Sequence, residues 1–209
     1  MLLVGSSFSA TVFGVGTGGN QVRRLLLLAS TLSLLLVSGT QAAQATAGSG
    51  TFHWEAGAGS PVCGFEPTAC PNVAMADNGD TLTLRAEGDL DRANGAASGG
   101  GTFQHRTAAG TLVASGTLMA TGLLTFIPYG CGGPVPPNFC GGRAAFAVHV
   151  VAHPASNPSA TVEAEGVLEL ECTLGNPPAG AREGFRLNVK DLLNFNKSVS
   201  GDTLFIKTS

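Results

Sequence analysis

The segment from Thr161 to Leu174 alternates apolar and polar side chains over fourteen residues. Successive side chains of a β-strand point to opposite faces, so this period of two predicts a strand with one buried and one solvent-exposed face. The glycine in its middle, Gly166, predicts a bend or bulge. The buried set comprises Val162, Ala164, Leu168, Leu170, Cys172 and Leu174, and the exposed set contains Glu163, Glu165, Glu169 and Glu171.

The composition extends this conclusion to the rest of the chain. Only 12% of the 209 residues are charged and 30 are glycine, whereas long solvated helices need many charged side chains. The composition therefore favours short strands joined by tight turns, and a hydrophobic content of 44% argues against disorder. With 11 basic and 14 acidic residues there is no basic field, so we expect no nucleic-acid partner.

Further strands are predicted by alternation and by turn residues. Arg143 to His153 is the second long one, and no helix longer than one or two turns is expected between residues 46 and 209. The other predicted strands are Thr51 to Trp54, Thr81 to Ala86, Thr102 to Arg106, Thr111 to Ala114, one or two within Gly116 to Ile127, Phe185 to Val189, Leu193 to Asn196, and Thr203 to Ile206.

Eight to ten strands with short connections predict an all-β fold of antiparallel meander or Greek-key type. An open sheet of this size would expose its edges and one apolar face. We therefore expect a single antiparallel β-barrel, with a two-sheet β-sandwich as the alternative.

The first 45 residues have the pattern of a signal peptide. Arg23 and Arg24 precede the uncharged run from Leu25 to Val37, which is shorter than a membrane span, and Ala43-Gln44-Ala45 fits a cleavage site after Ala45. A start at Val22 would make residues 1 to 21 an over-called extension. We expect residues 46 to 209 to form one secreted, mildly acidic domain of formal charge -5 without a transmembrane segment.

All five cysteines lie in this exported part, where disulfides persist. Their spacing favours two local bridges, Cys63 to Cys70 and Cys131 to Cys140, although sequence alone does not fix connectivity. Cys172 lies on the apolar face of its strand, which favours a buried thiol. A bridge from Cys172 to Cys131 or Cys140 is the alternative. No C-x-x-C pair exists, so no metal is expected.

The glutamate-rich strand face and two histidines are the candidate ligand or cation contacts. Glutamates two positions apart lie about 6.6 to 6.8 Å apart, near enough to share a cation. A solvated face with partners such as Arg186 or Lys190 is the favoured interpretation, and weak calcium binding or a catalytic dyad are alternatives. His149 and His153 would lie about 13 Å apart on one strand, too far to share a metal. We expect them at the surface or lining a ligand.

Five short segments carry a resemblance to known proteins: Cys140 to Ala144, Glu171 to Pro178, Glu183 to Leu187, Leu193 to Lys197, and Gly201 to Phe205. They resemble small secreted proteins of high-GC soil bacteria, a group without an established activity. The likeness spans roughly residues 98 to 206 and implies an exported all-β domain and no particular chemistry. In strand content and size the chain is also similar to dirigent and allene oxide cyclase-like barrels, which hold apolar ligands.

No hydrolase or phosphate-binding motif is present, and the glycine pattern starting at Gly14 lacks the helix and acidic residue of a dinucleotide site. We therefore expect no cofactor. The favoured function is noncatalytic: binding of a small apolar ligand or of an extracellular surface. A packed interaction module without a cavity and a barrel cyclase or isomerase are the alternatives. The sequence carries no signal for an oligomeric state.

Overall fold

The computed structural model describes residues 50–209. The predicted signal peptide, its cleavage site and the predicted extension at residues 1 to 21 lie outside the described residues. No helix within residues 50–209 is both long and apolar enough to cross a membrane.

The described chain is almost entirely β, as predicted. A single helical turn, α1 (Val62–Phe65), is followed by a short 3-10 turn (Pro67–Ala69). The strands are β1 (Thr51–Ala56), β2 (Asn72–Met75), β3 (Thr81–Asp91), β4 (Ala96–Arg106), β5 (Leu112–Cys131), β6 (Phe139–Pro154), β7 (Val162–Cys172), β8 (Gly184–Val189), β9 (Asn194–Phe195), β10 (Lys197–Ser200) and β11 (Thr203–Lys207).

Six of these strands close into a ring. The antiparallel pairs run from β3 to β4, β4 to β5, β5 to β6, β6 to β11, β11 to β1, and β1 back to β3. Closure removes the exposed edges that an open sheet would present. The expected single antiparallel barrel is therefore the architecture, with β1 and β11 completing the wall.

β3 and β6 are long enough to change partners along their length. The first half of β3 pairs with β2 and the second half with β1, while β6 pairs first with β11 and then with β7. At the end of the barrel where β7 begins, the wall continues through β7 and β8, and β2 and β10 lie against β8.

The eleven strands exceed the expected eight to ten because β2 and β10, of 4 residues each, have no clear alternation. The two segments predicted at Thr111 to Ala114 and Gly116 to Ile127 form one strand, β5, of 20 residues. β5 accommodates this length through three register shifts against β6. Such bulges bend a strand around a barrel.

The predicted bulge at Gly166 is not formed. The pairing of β7 with β6 runs through Gly166 without a register shift, and Gly166 also pairs with Val189 of β8. A side chain at this position would place its Cβ 2.6 Å from the carbonyl oxygen of Asn188. Glycine is therefore required because the β8 backbone approaches closely.

The interior of the barrel is packed with large side chains. Trp54 lies 5.2 Å from Phe146, and Phe126 lies 4.9 Å from both Phe52 and Phe205, measured between ring centroids. These separations are typical of stabilising aromatic pairs. Other fully buried side chains of the core are Leu84, Leu90, Leu118, Val148, Leu168, Leu170 and Phe185.

Glu183, just before β8, connects three strands at the end of the barrel opposite the start of β7. One carboxylate oxygen accepts the backbone N–H of Thr173 at 2.7 Å, and the other accepts that of Thr203 at 2.8 Å. The hydroxyl groups of both threonines also donate to it. Burial raises the pKa of Glu183, and these hydrogen bonds oppose the rise. The carboxylate thus satisfies backbone donors that would otherwise be buried without a partner.

We expect Glu183→Gln to lower the free energy of unfolding by about 1 to 3 kcal/mol, the cost of leaving buried donors unsatisfied. A glutamine carries one acceptor oxygen and turns an NH2 group toward the other backbone N–H. Urea denaturation measures the change. Glu163→Gln, at an exposed glutamate on β7, is the matched control and should change stability by less than about 0.5 kcal/mol. Equal effects of the two substitutions would contradict the role given to Glu183.

Candidate functional site

One end of the barrel opens into an apolar hollow, here called the mouth. β3, β5 and β7 begin there and β4, β6 and β8 end there, so each strand contributes the inward side chains of its terminal residues. The hollow has a volume of about 490 Å3. It is lined by Leu82, Phe103, His105, Val113, Ala114, Val150, Ala152, Pro154, Val162, Leu187, Val189, Asp191, Leu192, Leu193 and Phe195.

The lining is apolar apart from the side chains of His105 and Asp191. His105 lies on the inward face of β4, beside Phe103, and its Nε2 is hydrogen-bonded to the carboxylate of Asp80 at 2.9 Å. Its ring packs against that of Phe195 in an edge-to-face arrangement, with the ring centroids 5.3 Å apart. The imidazole is held in place and offers a single polar group on an apolar wall.

The turn after β8 forms part of the rim. Asp191 has a φ of 59°, a left-handed conformation that is unusual for residues other than glycine. The next residue, Leu192, leaves 64% of its surface exposed, and Val162 at the start of β7 leaves 41% exposed. Apolar side chains are thus presented to solvent on two sides of the opening.

The floor of the mouth is the packed interior. Val150 and Leu187 line the hollow, and the next inward residues on the same strands, Val148 and Phe185, are fully buried in the core. A ligand would therefore occupy the mouth and leave the packed middle of the barrel undisturbed. This geometry suits a compact molecule with a mainly apolar surface.

A second hollow, of about 640 Å3, lies at the other end of the barrel. Its walls include parts of both disulfide loops, among them Phe65 and Pro136. The carboxyl groups of Glu66, Glu183 and Asp202 also line it. Carboxylates are costly to desolvate, so this hollow is less suited to an apolar ligand than the mouth.

The predicted contacts His149 and His153 do not line the mouth. His149 lies on the outer face of β6, where its Nδ1 is 2.9 Å from Glu165 and its Nε2 is 3.6 Å from Glu163 of β7. His153 Nδ1 is 3.0 Å from the carbonyl oxygen of Ala160. The two histidines engage different partners, as the expected separation along one strand implied.

Glu169 and Glu171 are engaged by arginines, and the prediction that Arg186 would be a partner is confirmed. Arg186 lies 2.6 Å from Glu169 and 3.3 Å from Glu171, and Arg143 of β6 also pairs with Glu169. The Tyr129 hydroxyl donates to Glu171 at 2.8 Å. These four charged groups and one phenol form a network on the outside of the barrel.

The expectation that Glu171 lies on a solvated face is wrong. Its surface is only 4% exposed, because residues 178–182 of the β7–β8 connection line the same recess. Burial by itself would raise the pKa of Glu171. The hydrogen bonds from Tyr129 and the Arg182 backbone, together with the charge of Arg186, outweigh burial and lower it.

Both predicted disulfides are confirmed. Cys63 is bonded to Cys70 beside α1, and Cys131 is bonded to Cys140 across the β5–β6 hairpin. Cys172 is a free, buried thiol, so the alternative bridges are not formed. Burial and the neighbouring Glu183 raise the pKa of Cys172 to about 12. The thiol is thus a small apolar core group and not an activated nucleophile.

Sequence reasoning did not identify the residues of the mouth. One signal was available: His105 and Phe103 share a face in the predicted strand Thr102 to Arg106, so a histidine on an inward face was visible in the alternation. Phe195 and Leu192 gave no such signal, because their approach to the mouth depends on the turn after β8.

Comparisons of this chain with known protein families, with curated proteins and with solved structures found no match.

Tyr129 is the chain's single tyrosine, so the absorbance of its phenolate reports on this residue alone. Burial, with the hydrogen bond and negative charge of Glu171, raises its pKa from 10.0 to about 12. We expect no phenolate near pH 10 while circular dichroism shows the fold intact. In denaturant the same residue should ionise near pH 10, roughly the value for free tyrosine. Ionisation near pH 10 in the folded protein would contradict the buried contact with Glu171.

Proposed function

We propose that this protein is a secreted, noncatalytic binding protein that holds a small apolar molecule in the barrel mouth. The observation that carries the proposal is the hollow of about 490 Å3 whose walls are apolar except for His105 and Asp191. Sites of this size and polarity, placed at the mouths of barrels, are typical of small-molecule binding. The two disulfides support an extracellular location, where such bridges persist.

The packing of the barrel supports a site that forms before the ligand arrives. Trp54 and Phe146 fix the middle of the barrel, and seven different strands supply the walls above it. A wall built from strand ends moves little on binding, so little conformational entropy would be lost. The ligand would gain its affinity mainly from burial of apolar surface, at about 25 cal/mol per Å2.

The single imidazole suggests the chemistry of the ligand more closely. His105 is oriented by Asp80, and its hydrogen bond lowers the pKa of that carboxyl, which therefore remains ionised at neutral pH. A polar group on an apolar wall fixes the orientation of a ligand more than its affinity. We infer a mainly apolar molecule with one hydrogen-bonding group directed toward His105.

A packed interaction module is the competing function, because the interior itself contains large buried side chains. The two functions differ at the mouth. A binding protein needs the hollow to be open, whereas an interaction module would tolerate its being filled.

Ala152→Phe tests the proposal by filling the mouth, since Ala152 lies on the inward face at the end of β6. We expect the neutral lipophilic dye Nile red to bind saturably to the protein and to bind Ala152→Phe about tenfold more weakly, equivalent to roughly 1.4 kcal/mol. Fluorescence titration measures both affinities.

Ala147→Phe is the matched control, because Ala147 lies on the outer face of the same strand, opposite Val167 of β7. It should bind the dye as the wild type does, and circular dichroism should show that both variants are folded. Equal dye binding by wild type and Ala152→Phe, or no saturable binding to the wild type, would favour the interaction module.

A further inference from the structure

The outer faces of β1 and β3 bring together a histidine and three carboxylates. Glu55 of β1 lies directly opposite Glu87 of β3, and His53 lies directly opposite Asp89. Like charges directly opposite each other across an antiparallel pair are destabilising. The arrangement therefore needs a positive charge between the two glutamates or a proton on one of them.

Three atoms of this cluster face a common point. His53 Nε2 lies 4.0 Å from Glu55 Oε1 and 3.9 Å from Glu87 Oε2, and all three atoms lie within 4.8 Å of one another. A zinc ion bonds to imidazole nitrogen and carboxylate oxygen at about 2.0 to 2.2 Å, which places tetrahedral ligand atoms about 3.4 Å apart. The two His53 distances exceed this value by about 0.5 to 0.6 Å, so the partly exposed side chains of His53 and Glu87 would both move inward around the buried Glu55 to bind the ion.

Glu55 supplies independent evidence for a ligand at this point. Its side chain is fully buried, its Oε2 accepts the backbone N–H of Val62 at 3.2 Å, and its Oε1 has no hydrogen-bond partner. The unpartnered Oε1 is the atom that faces His53. A buried carboxylate oxygen without a partner is costly, and a metal ion would satisfy it.

The loop after β1 holds Glu55 in this position. Gly59 has a φ of 90°, and a Cβ there would lie 2.5 Å from the Glu55 carboxyl carbon. Only glycine allows the backbone to pack so closely over the carboxylate. Burial raises the pKa of Glu55, and the Val62 N–H and His53 oppose the rise.

Asp89 contacts the imidazole of His53 at the nitrogen that does not face the glutamates. Its carboxylate lies 3.1 Å from His53 Nδ1. A histidine that donates its Nδ1–H to a carboxylate presents the lone pair of Nε2, which is the usual arrangement around a metal-bound imidazole. Asp89 is thus a positioning residue that sets the tautomer and orientation of His53.

We propose that His53, Glu55 and Glu87 bind a divalent metal ion of the zinc class, with Asp89 orienting His53. One nitrogen and two oxygen ligands suit zinc and its first-row neighbours. They fit calcium poorly, because calcium takes six to eight oxygen ligands. This site departs from the sequence-based expectation of no metal, because its ligands come from two strands whose register is set only by folding.

The test is calorimetric titration of Zn2+ into the purified protein after treatment with a chelator. We expect one Zn2+ per chain and a preference for Zn2+ over Ca2+. His53→Gln and Glu87→Gln should each weaken Zn2+ binding by more than about 100-fold, and Asp89→Asn by roughly 10- to 100-fold. His53 and Glu87 are 31% and 53% exposed, so these substitutions should leave the fold intact, which circular dichroism checks.

His149→Gln is the matched control, because His149 also lies beside two glutamates, Glu163 and Glu165, but both of these are exposed. It should bind Zn2+ as the wild type does. The proposal is overturned if the wild type shows no saturable binding, if His53→Gln and Glu87→Gln bind normally, if His149→Gln abolishes binding, or if Ca2+ binds as tightly as Zn2+. Dye binding at the mouth is measured separately, so either proposal can fail alone.

Discussion

The antiparallel pairing of β1 with β11 is the interaction on which the rest of the structure depends. These strands are the first and last of the described chain, and they fill the wall between β3 and β6. Without them, residues 86–91 of β3 and 139–140 of β6 would present unpaired edges, and the aromatic contacts of Phe52 and Phe205 with Phe126 would be lost. β1 also carries Trp54 inward and the cluster around His53 outward, so one strand serves both the core and the proposed metal site.

The two ends of the barrel differ in chemistry because different side chains terminate the strands. At one end, Glu183 and the two disulfides hold the connections, and carboxylates line the neighbouring hollow. At the mouth, aliphatic and aromatic side chains end the strands, and His105 is the imidazole among them. An apolar wall on a rigid, disulfide-bonded scaffold is consistent with the capture of an apolar molecule in an oxidising environment.

Alternation in the sequence predicted the inward and outward faces of β6 and β7, because strand geometry imposes a period of two whatever the tertiary structure. The two disulfides could also be predicted from the sequence, since each joins cysteines fewer than ten residues apart. The first half of β4 was not predicted as a strand, because Gly99, Gly100 and Gly101 have low strand propensity. Their extended conformation is stabilised by pairing with β3. The burial of Glu171 was not predicted, because it depends on the long connection between β7 and β8. The approach of His53 to Glu87 was not predicted either, because it depends on the register between two strands that are distant in the sequence.

If the barrel binds an apolar molecule at its mouth, the protein isolated from its natural producer should carry that molecule. The decisive measurement compares the native and denatured masses of protein isolated from that producer without organic solvent. We expect the native mass to exceed the denatured mass by a discrete, reproducible increment that organic solvent extracts. We also expect the extracted compound to be mainly apolar with a hydrogen-bonding group. Native and denatured masses that agree, in protein shown to be folded, would contradict the proposed binding at the mouth.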